Sequence, residues 1–428
     1  MNVKDRWIAY STWSLAVSFL FYEFFVRVYP TVMVKDLMVS FSITAGKLGV
    51  LSAFFFYAYA PMQILVGLLM DRFGARTLLA LASLLCGAGS FLFGMAEGIA
   101  LAKVGRFLMG IGSAFAFVGM VYVCSHMFPD RRRALLIGIG NSIGMLGAAG
   151  STGPLSFFVQ SFGWRSVVNA FGFIGCVLAV ILFFCIKKGE KSHQNGKIPT
   201  PTFFFKNLRV VCSNPQTWIN GITALLIYMT TAAFASLWGV PFLIKSYGFS
   251  KELAGFIIGM IFIGWIIGGP IIGMISDRLN RRKPLLFSAI VFTALTLLPV
   301  LYVPHLPLWL LFVLLLLVGI FQSGELLSFS LAIEFNPLKF KGVSIAFTNF
   351  LVAFGTSTVQ PLIGVLLDIG WDGSLQEGVP IYSVHNYHYA MLSFPVALVL
   401  AFVLLCFLKE GRSSSKKGKG YSLLRGSR

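Results

Sequence analysis

Ionisable residues are scarce in the apolar stretches of this 428-residue chain, and those that occur there are where chemistry can happen. Glu23 and Arg27 stand four residues apart inside one such stretch, a spacing that puts both side chains on one helical face. Ala16, Leu20 and Pro30 extend that face, so the pair is expected to point into the protein. Each charge offsets the other's desolvation, and either is released when a substrate or a proton arrives; the alternative is a purely structural ion pair. Glu325, in the run Gly-Glu-Leu-Leu-Ser, has no basic neighbour in sequence. Apolar surroundings favour the neutral form of a carboxyl group, which suits a proton carrier, with Glu23 as the other candidate. Arg106 is a fixed cation in a further apolar run, placed either to contact an anion or to brace backbone carbonyls. Glu334 and His126 fall near run ends and read as interfacial.

The elements that must position these groups are membrane spans. Hydrophobic residues make up 57% of the chain and charged ones 11%, with a mean hydropathy of +0.84. A soluble domain carries roughly 25% charged residues, so there is too little polar surface here to cover a water-facing exterior. Twelve runs reach the length of about 20 residues that a spanning helix needs: 9–33, 45–70, 77–96, 99–127, 134–160, 166–186, 216–243, 252–275, 285–303, 307–333, 342–367 and 387–408. The first is too long for a cleavable signal peptide and lacks a small-residue cleavage site. The formal charge of +19 would mark a nucleic-acid footprint on a soluble protein. If the N-terminus is cytoplasmic, however, 26 of the 34 basic residues fall on the inner side and six on the outer, with Arg27 and Arg106 within spans. That is a positive-inside pattern, with both termini cytoplasmic and no nucleic-acid partner. The six cysteines sit in or beside apolar runs without metal-ligand spacing, so neither a disulfide framework nor a metal site is expected. Residues 1–186 and 216–408 form two six-helix halves. A polar cytoplasmic linker, 187–215, joins them, and a basic tail, 409–428, follows.

The halves repeat. Gly67, Asp71 and Arg72 in Gly-Leu-Leu-Met-Asp-Arg-Phe-Gly-Ala-Arg each precede by 206 residues Gly273, Asp277 and Arg278 in Gly-Met-Ile-Ser-Asp-Arg-Leu-Asn-Arg-Arg. Gly49 and Gly255 share that offset, and Pro154 and Pro361 stand 207 apart. The first of these decapeptides resembles the loop signature of the major facilitator superfamily, and the second resembles its weaker repeat. Gly105-Arg106 with Gly110 and Gly112 is similar to the family's fourth-helix motif. Ser151-Thr152-Gly153-Pro154 partly resembles its antiporter motif, with Ala149 where a glycine is expected. The resemblance covers residues 7–408. It implies an all-α integral membrane fold of twelve transmembrane helices in two pseudo-symmetric six-helix bundles, rocking about a midplane site. It implies that Gly67, Asp71, Arg72, Arg76, Gly273, Asp277 and Arg278 form a conformational latch, and that Arg106 serves anion contact or coupling. Helices one, four, seven and ten then line the cavity, with Arg27, Tyr57, Arg106, Tyr228, Trp238 and Asn349 as substrate contacts.

Competing classes lack support. Gly140-Asn141-Ser142-Ile143-Gly144 matches a nucleophile-elbow pattern, but it lies in an apolar helix rather than a strand–turn–helix. No phosphate-binding, dinucleotide or zinc-protease motif occurs, so no enzyme activity and no cofactor are expected. The helix-one pair resembles arrangements in organic anion symporters of that superfamily. The expectation is therefore a monomeric inner-membrane transporter that imports a small anionic or zwitterionic solute with a proton. The alternatives are an amino-acid or dipeptide transporter, a proton-antiporting exporter, and a non-transporting membrane sensor.

Overall fold

The computed structural model describes residues 3–186, 201–279, 281–337 and 340–409; the rest of the expected linker and basic tail lies outside them. The N-terminal half contains α1 (Val3–Val28), a 3-10 turn (Tyr29–Val32), α2 (Val34–Phe41), α3 (Ala45–Gly94), α4 (Ile99–Met127), α5 (Asp130–Gly150), α6 (Gly153–Phe162) and α7 (Trp164–Cys185). After α8 (Pro201–Cys212), the C-terminal half begins with α9 (Pro215–Met229), a π-helical segment (Thr230–Trp238) and α10 (Gly239–Tyr247). It continues through α11 (Lys251–Leu279), α12 (Lys283–Tyr302), α13 (Leu308–Gln322), a 3-10 turn (Ser323–Leu326), α14 (Leu327–Glu334) and α15 (Lys341–Ile369). A hairpin, β1 (Leu375–Gln376) with β2 (Val379–Pro380), leads into α16 (Val384–Met391) and α17 (Ser393–Phe407).

Ten helical stretches among the described residues are long and apolar enough to cross a membrane, and the pair α5–α6, bent by 41°, makes another. One of the ten, α3, has 50 residues. At 1.5 Å per residue it spans about 75 Å, more than twice a bilayer core. It breaks at Gly74, whose φ of 77° only glycine adopts freely, and so crosses twice. The twelve expected spans are thus present, two of them joined without a loop. The expected linker is more structured than its composition suggests. Its last part is α8, whose Val211 packs with Phe340, Phe347 and Leu351 of the C-terminal half.

Two spans are deliberately irregular. In the π-helical segment the ladder shifts register, and the carbonyls it would have used find side-chain donors instead. Gln322 Nε2 donates to Ile227 O at 2.9 Å, and Gln360 Nε2 donates to Ala232 O at 2.8 Å. Glu325 lies in the 3-10 turn that interrupts the tenth span. Non-helical backbone at membrane depth is tolerated where protein or a cavity surrounds it.

The halves meet at two symmetric crossings on the face opposite the basic loops. On α3, a side chain at Gly49 would meet the backbone of Gln360 and Pro361 on α15. On α11, a side chain at Gly255 would meet the backbone of Thr152 and Gly153 at the α5–α6 bend. The repeat pairs read in the sequence therefore lie at two close crossings of the halves, each glycine against backbone at or beside the other half's paired proline. Because the obstructing atoms at Gly49 are backbone, Gly49→Val is expected to destabilise this closure by roughly 1–3 kcal/mol. Spin-label distances between α2 and the 371–383 loop should then lengthen by several ångströms on the order of a helix displacement; unchanged distances would contradict the crossing's role.

Candidate functional site

Between the halves lies a cavity of about 810 Å³, walled by α1, α3, α4, α5, α8, α9, α11, α15 and the interrupted tenth span. It opens toward the basic loops, where Gly67, Asp71, Asn207 and Gly342 line it, and ends deep in the bundle at Arg27, Tyr228, Trp265 and Glu325.

Arg27 is the cavity's cation. Its side chain is 11% exposed, while Glu23 behind it is 1% exposed. Arg27 Nε donates to Glu23 Oε1 at 2.8 Å, and Nη2 reaches the same oxygen at 2.5 Å. One carboxylate oxygen thus occupies the two-donor edge of the guanidinium that a substrate carboxylate would seek. Phe24 and Tyr59 place their ring centroids 4.7 Å from the guanidinium carbon, an aromatic box that favours a cation electrostatically. Across the cavity Glu325 is 3% exposed, and its Oε1 has no hydrogen-bond partner among the described residues. A polar layer supports this floor. Asn349 Nδ2 donates to Gln63 Oε1 at 2.8 Å and joins the halves, and Trp265 Nε1 donates to Thr231 Oγ1 at 2.9 Å.

Of the expected contacts, Arg27, Tyr228 and Asn349 line the cavity together with Glu325. Three others do not. Tyr57 is 39% exposed and stands outside the lining, edge-on to Phe54. Trp238 is fully buried, with Nε1 donating to Gln360 O at 3.1 Å, which ties the seventh span to the eleventh. Arg106 is buried behind Phe55, its carbon 4.8 Å from that ring, and Nη1 donates to Val26 O at 3.1 Å; it occupies the position of a brace. Tyr59 and Gln63 are cavity residues the sequence reading missed. With Gly67 and Asp71 they recur every four residues, a single helical stripe that was available as a signal.

Among the described residues no hydrogen bond or ion pair joins the latch candidates of one half to those of the other. Gly67 and Asp71 are exposed on the cavity wall, Asp277 and Arg278 are exposed, and neither Gly67 nor Gly273 has an atom within 4 Å of where a side chain would start. Arg76 Nε instead donates to Phe183 O at 2.6 Å, within the N-terminal half.

The opposite face is closed by a cap supplied from the other half. The first amides of α3 have no capping side chain of their own. Asp368 of α15 accepts from Gly46 N at 2.9 Å and from Thr44 Oγ1 at 2.7 Å, and it also accepts from the Tyr382 hydroxyl. That hydroxyl in turn accepts from Ala45 N at 2.9 Å. A carboxylate at a helix N-terminus answers both the orphan amides and the dipole. Burial and the neighbouring Asp368 raise the pKa of the Tyr382 phenol, so it remains a donor at neutral pH. Lys35 with Glu377 of the hairpin and Lys251 with Asp36 add two cross-half ion pairs, each at 2.8 Å.

This arrangement, a cavity sealed on one face by contacts between two repeated halves, belongs to a known family, whose model matches residues 14–359 and 221–425. The chain belongs to the Major Facilitator Superfamily. It is accordingly a multi-pass membrane transporter and not an enzyme. Among curated proteins, it is 25% identical over 265 residues to the "Probable sulfoacetate transporter SauU" of Cupriavidus necator, a match covering 56% of this chain and 58% of that protein. It is 21% identical over 397 residues to the "Probable hexose phosphate transport protein" of Chlamydia pneumoniae, covering 84% of this chain and 86% of that one. Its fold is that of the nucleoside transporter NupG, with a TM-score of 0.74 at 15% identity over 93% of this chain and 100% of that one. For this superfamily member, Asp368→Asn removes the charge that caps α3. Labelling of a cysteine at Thr31, which is buried and donates across the halves to Leu237 O, is expected to rise several-fold, on the order of the 1–2 kcal/mol such caps contribute; unaltered labelling would contradict the cap.

Proposed function

We propose that this transporter imports a small organic anion together with a proton by alternating access, as a monomer in the inner membrane of a bacterial-type cell with both termini cytoplasmic. The observation that carries this reading is Arg27, a cavity cation whose two-donor edge is held by a carboxylate that another anion can replace. An incoming anion takes that edge, and Glu23 is left without its partner in an apolar bundle. A proton on Glu23 or on Glu325 keeps the loaded cavity near neutral, so the loaded protein crosses the midpoint of the cycle without an uncompensated charge. Burying such a charge is what forbids crossing with the anion but without the proton. The positive-inside bias supports assigning the open side to the cytoplasm, so this conformation is the one from which an imported solute leaves. Two of the curated relatives carry names of anion transporters, sulfoacetate and hexose phosphate, which supports a negatively charged cargo.

A second reading has its own observation. The unpartnered Oε1 of Glu325 faces the same cavity as Arg27, and that pairing suits an amino-acid or peptide zwitterion.

Two variants separate the roles in proteoliposomes. Arg27→Ala is expected to cost at least about 3 kcal/mol of anion binding, a loss of more than a hundredfold; retained anion uptake would contradict the proposal. Glu325→Gln is expected to keep exchange of internal for external substrate but to lose accumulation driven by an inwardly directed proton gradient. If the pH dependence of accumulation is unchanged in that variant and lost in Glu23→Gln, the proton is carried by Glu23.

A further inference from the structure

Resting on the reading of this cavity as an anion site, we infer that the cargo is a monocarboxylate with a flat aromatic body, its acid end on Arg27 and its ring among Tyr59, Tyr228 and Trp265. Two observations lead there, one of charge and one of hydrogen-bonding capacity.

Among the described residues lining the cavity, Arg27 is the only cation, and Asp71 and Glu325 are both acidic. Glu23, which would be released, adds a third carboxyl group beside the site. One anionic group on the cargo is answered by Arg27. A second one, as on a phosphate ester or a dicarboxylate, would face carboxyl groups and no cation, in surroundings where an unpaired charge is severely penalised. The charge count selects a monoanion.

The walls then select the body. Around Arg27 the lining is mainly ring faces and edges. Tyr228 and Trp265 stand edge-to-face at 5.8 Å and 87°, so their free faces form a right-angled slot, and Phe56 and Phe329 continue it. On the cavity floor the Asn349 amide nitrogen is engaged by Gln63 and the Trp265 indole by Thr231, while Gln63 Nε2 and Glu325 Oε1 are buried without a hydrogen-bond partner among the described residues. A sugar acid presents a hydroxyl on nearly every carbon, and each one buried without a partner subtracts from binding. An aromatic body asks for ring contact at offset or edge geometry, and one ring substituent that accepts a hydrogen bond would use Gln63. The cavity volume of about 810 Å³ holds such a molecule with room to enter and leave.

The full-length protein, purified and reconstituted in nanodiscs, tests this with four probes of matched acid chemistry: phenylacetate, acetate, glucuronate and terephthalate. Binding is read by quenching of intrinsic tryptophan fluorescence and by thermal stabilisation, in the native protein, in Arg27→Ala and in Trp265→Leu. The expected result is phenylacetate binding about tenfold tighter than acetate or glucuronate, with terephthalate weaker than phenylacetate. All binding should depend on Arg27. Trp265→Leu should weaken phenylacetate about tenfold and leave acetate within about twofold, which a general loss of folding would not do. Glucuronate or terephthalate binding tighter than phenylacetate, in an Arg27-dependent manner, overturns this inference and leaves the anion-transport reading standing. If no probe binds in an Arg27-dependent manner, both fall.

Discussion

A guanidinium persists inside an apolar bundle only while something answers its charge, and here that is one oxygen of Glu23. Removing one partner of a buried pair costs on the order of 3–5 kcal/mol, because the other charge is left uncompensated. The pair is therefore both a stabilising element and a constraint on what the cavity admits. The aromatic rings of Phe24 and Tyr59 hold the cation in place without neutralising it. Arg106 takes the complementary role on the neighbouring helix, where its contact with Val26 O fixes the turn of α1 that carries Arg27. On the proposed reading, the cation stays in place and its counter-ion is what the cargo exchanges.

The bundle around this pair is built to have two closures. The closure on the face opposite the basic loops rests on crossings at Gly49 and Gly255, and on the Asp368 carboxylate capping α3. On the basic side, Gly67 and Gly273 present bare helix faces with nothing packed against them. Such faces let helix backbones approach closely, and on the proposed alternating-access reading they are where the other closure would form. The π-helical segment and the 3-10 turn at Glu325 sit between the two, where a change of register is least expensive because side chains already supply the backbone's missing partners.

Much of this was legible in the sequence, for physical reasons. Hydrophobic length alone located the spans, since a bilayer imposes its thickness on any helix that crosses it. The 206-residue repeat pointed to two homologous halves; that its Gly49 and Gly255 lie at half-to-half crossings came only from packing, where a side chain would meet backbone. The spacing of Glu23 and Arg27 was sufficient to pair them, being local to one helix. Cavity contacts were less legible. Tyr57 and Tyr59 differ by two positions, which on a helix is the difference between the outer surface and the cavity. Trp238 and Arg106 carry groups suited to binding, but packing places them outside the cavity lining, each donating to a backbone carbonyl of a helix remote in sequence. The trans cap by Asp368 has no local signature, since it bonds residues more than 300 positions away. The helix α8 was hidden by a composition that reads as a linker until its apolar face finds Phe340 and Phe347.

The central claim is that an anion on Arg27 exchanges with Glu23 and that a proton completes the exchange. Calorimetric titration of a bound anion into the purified protein, repeated in buffers of different protonation enthalpy, counts protons taken up on binding. The account predicts uptake of roughly one proton per anion bound near neutral pH, lost in Arg27→Ala together with binding. A binding enthalpy that does not depend on the buffer, at undiminished affinity, would contradict it.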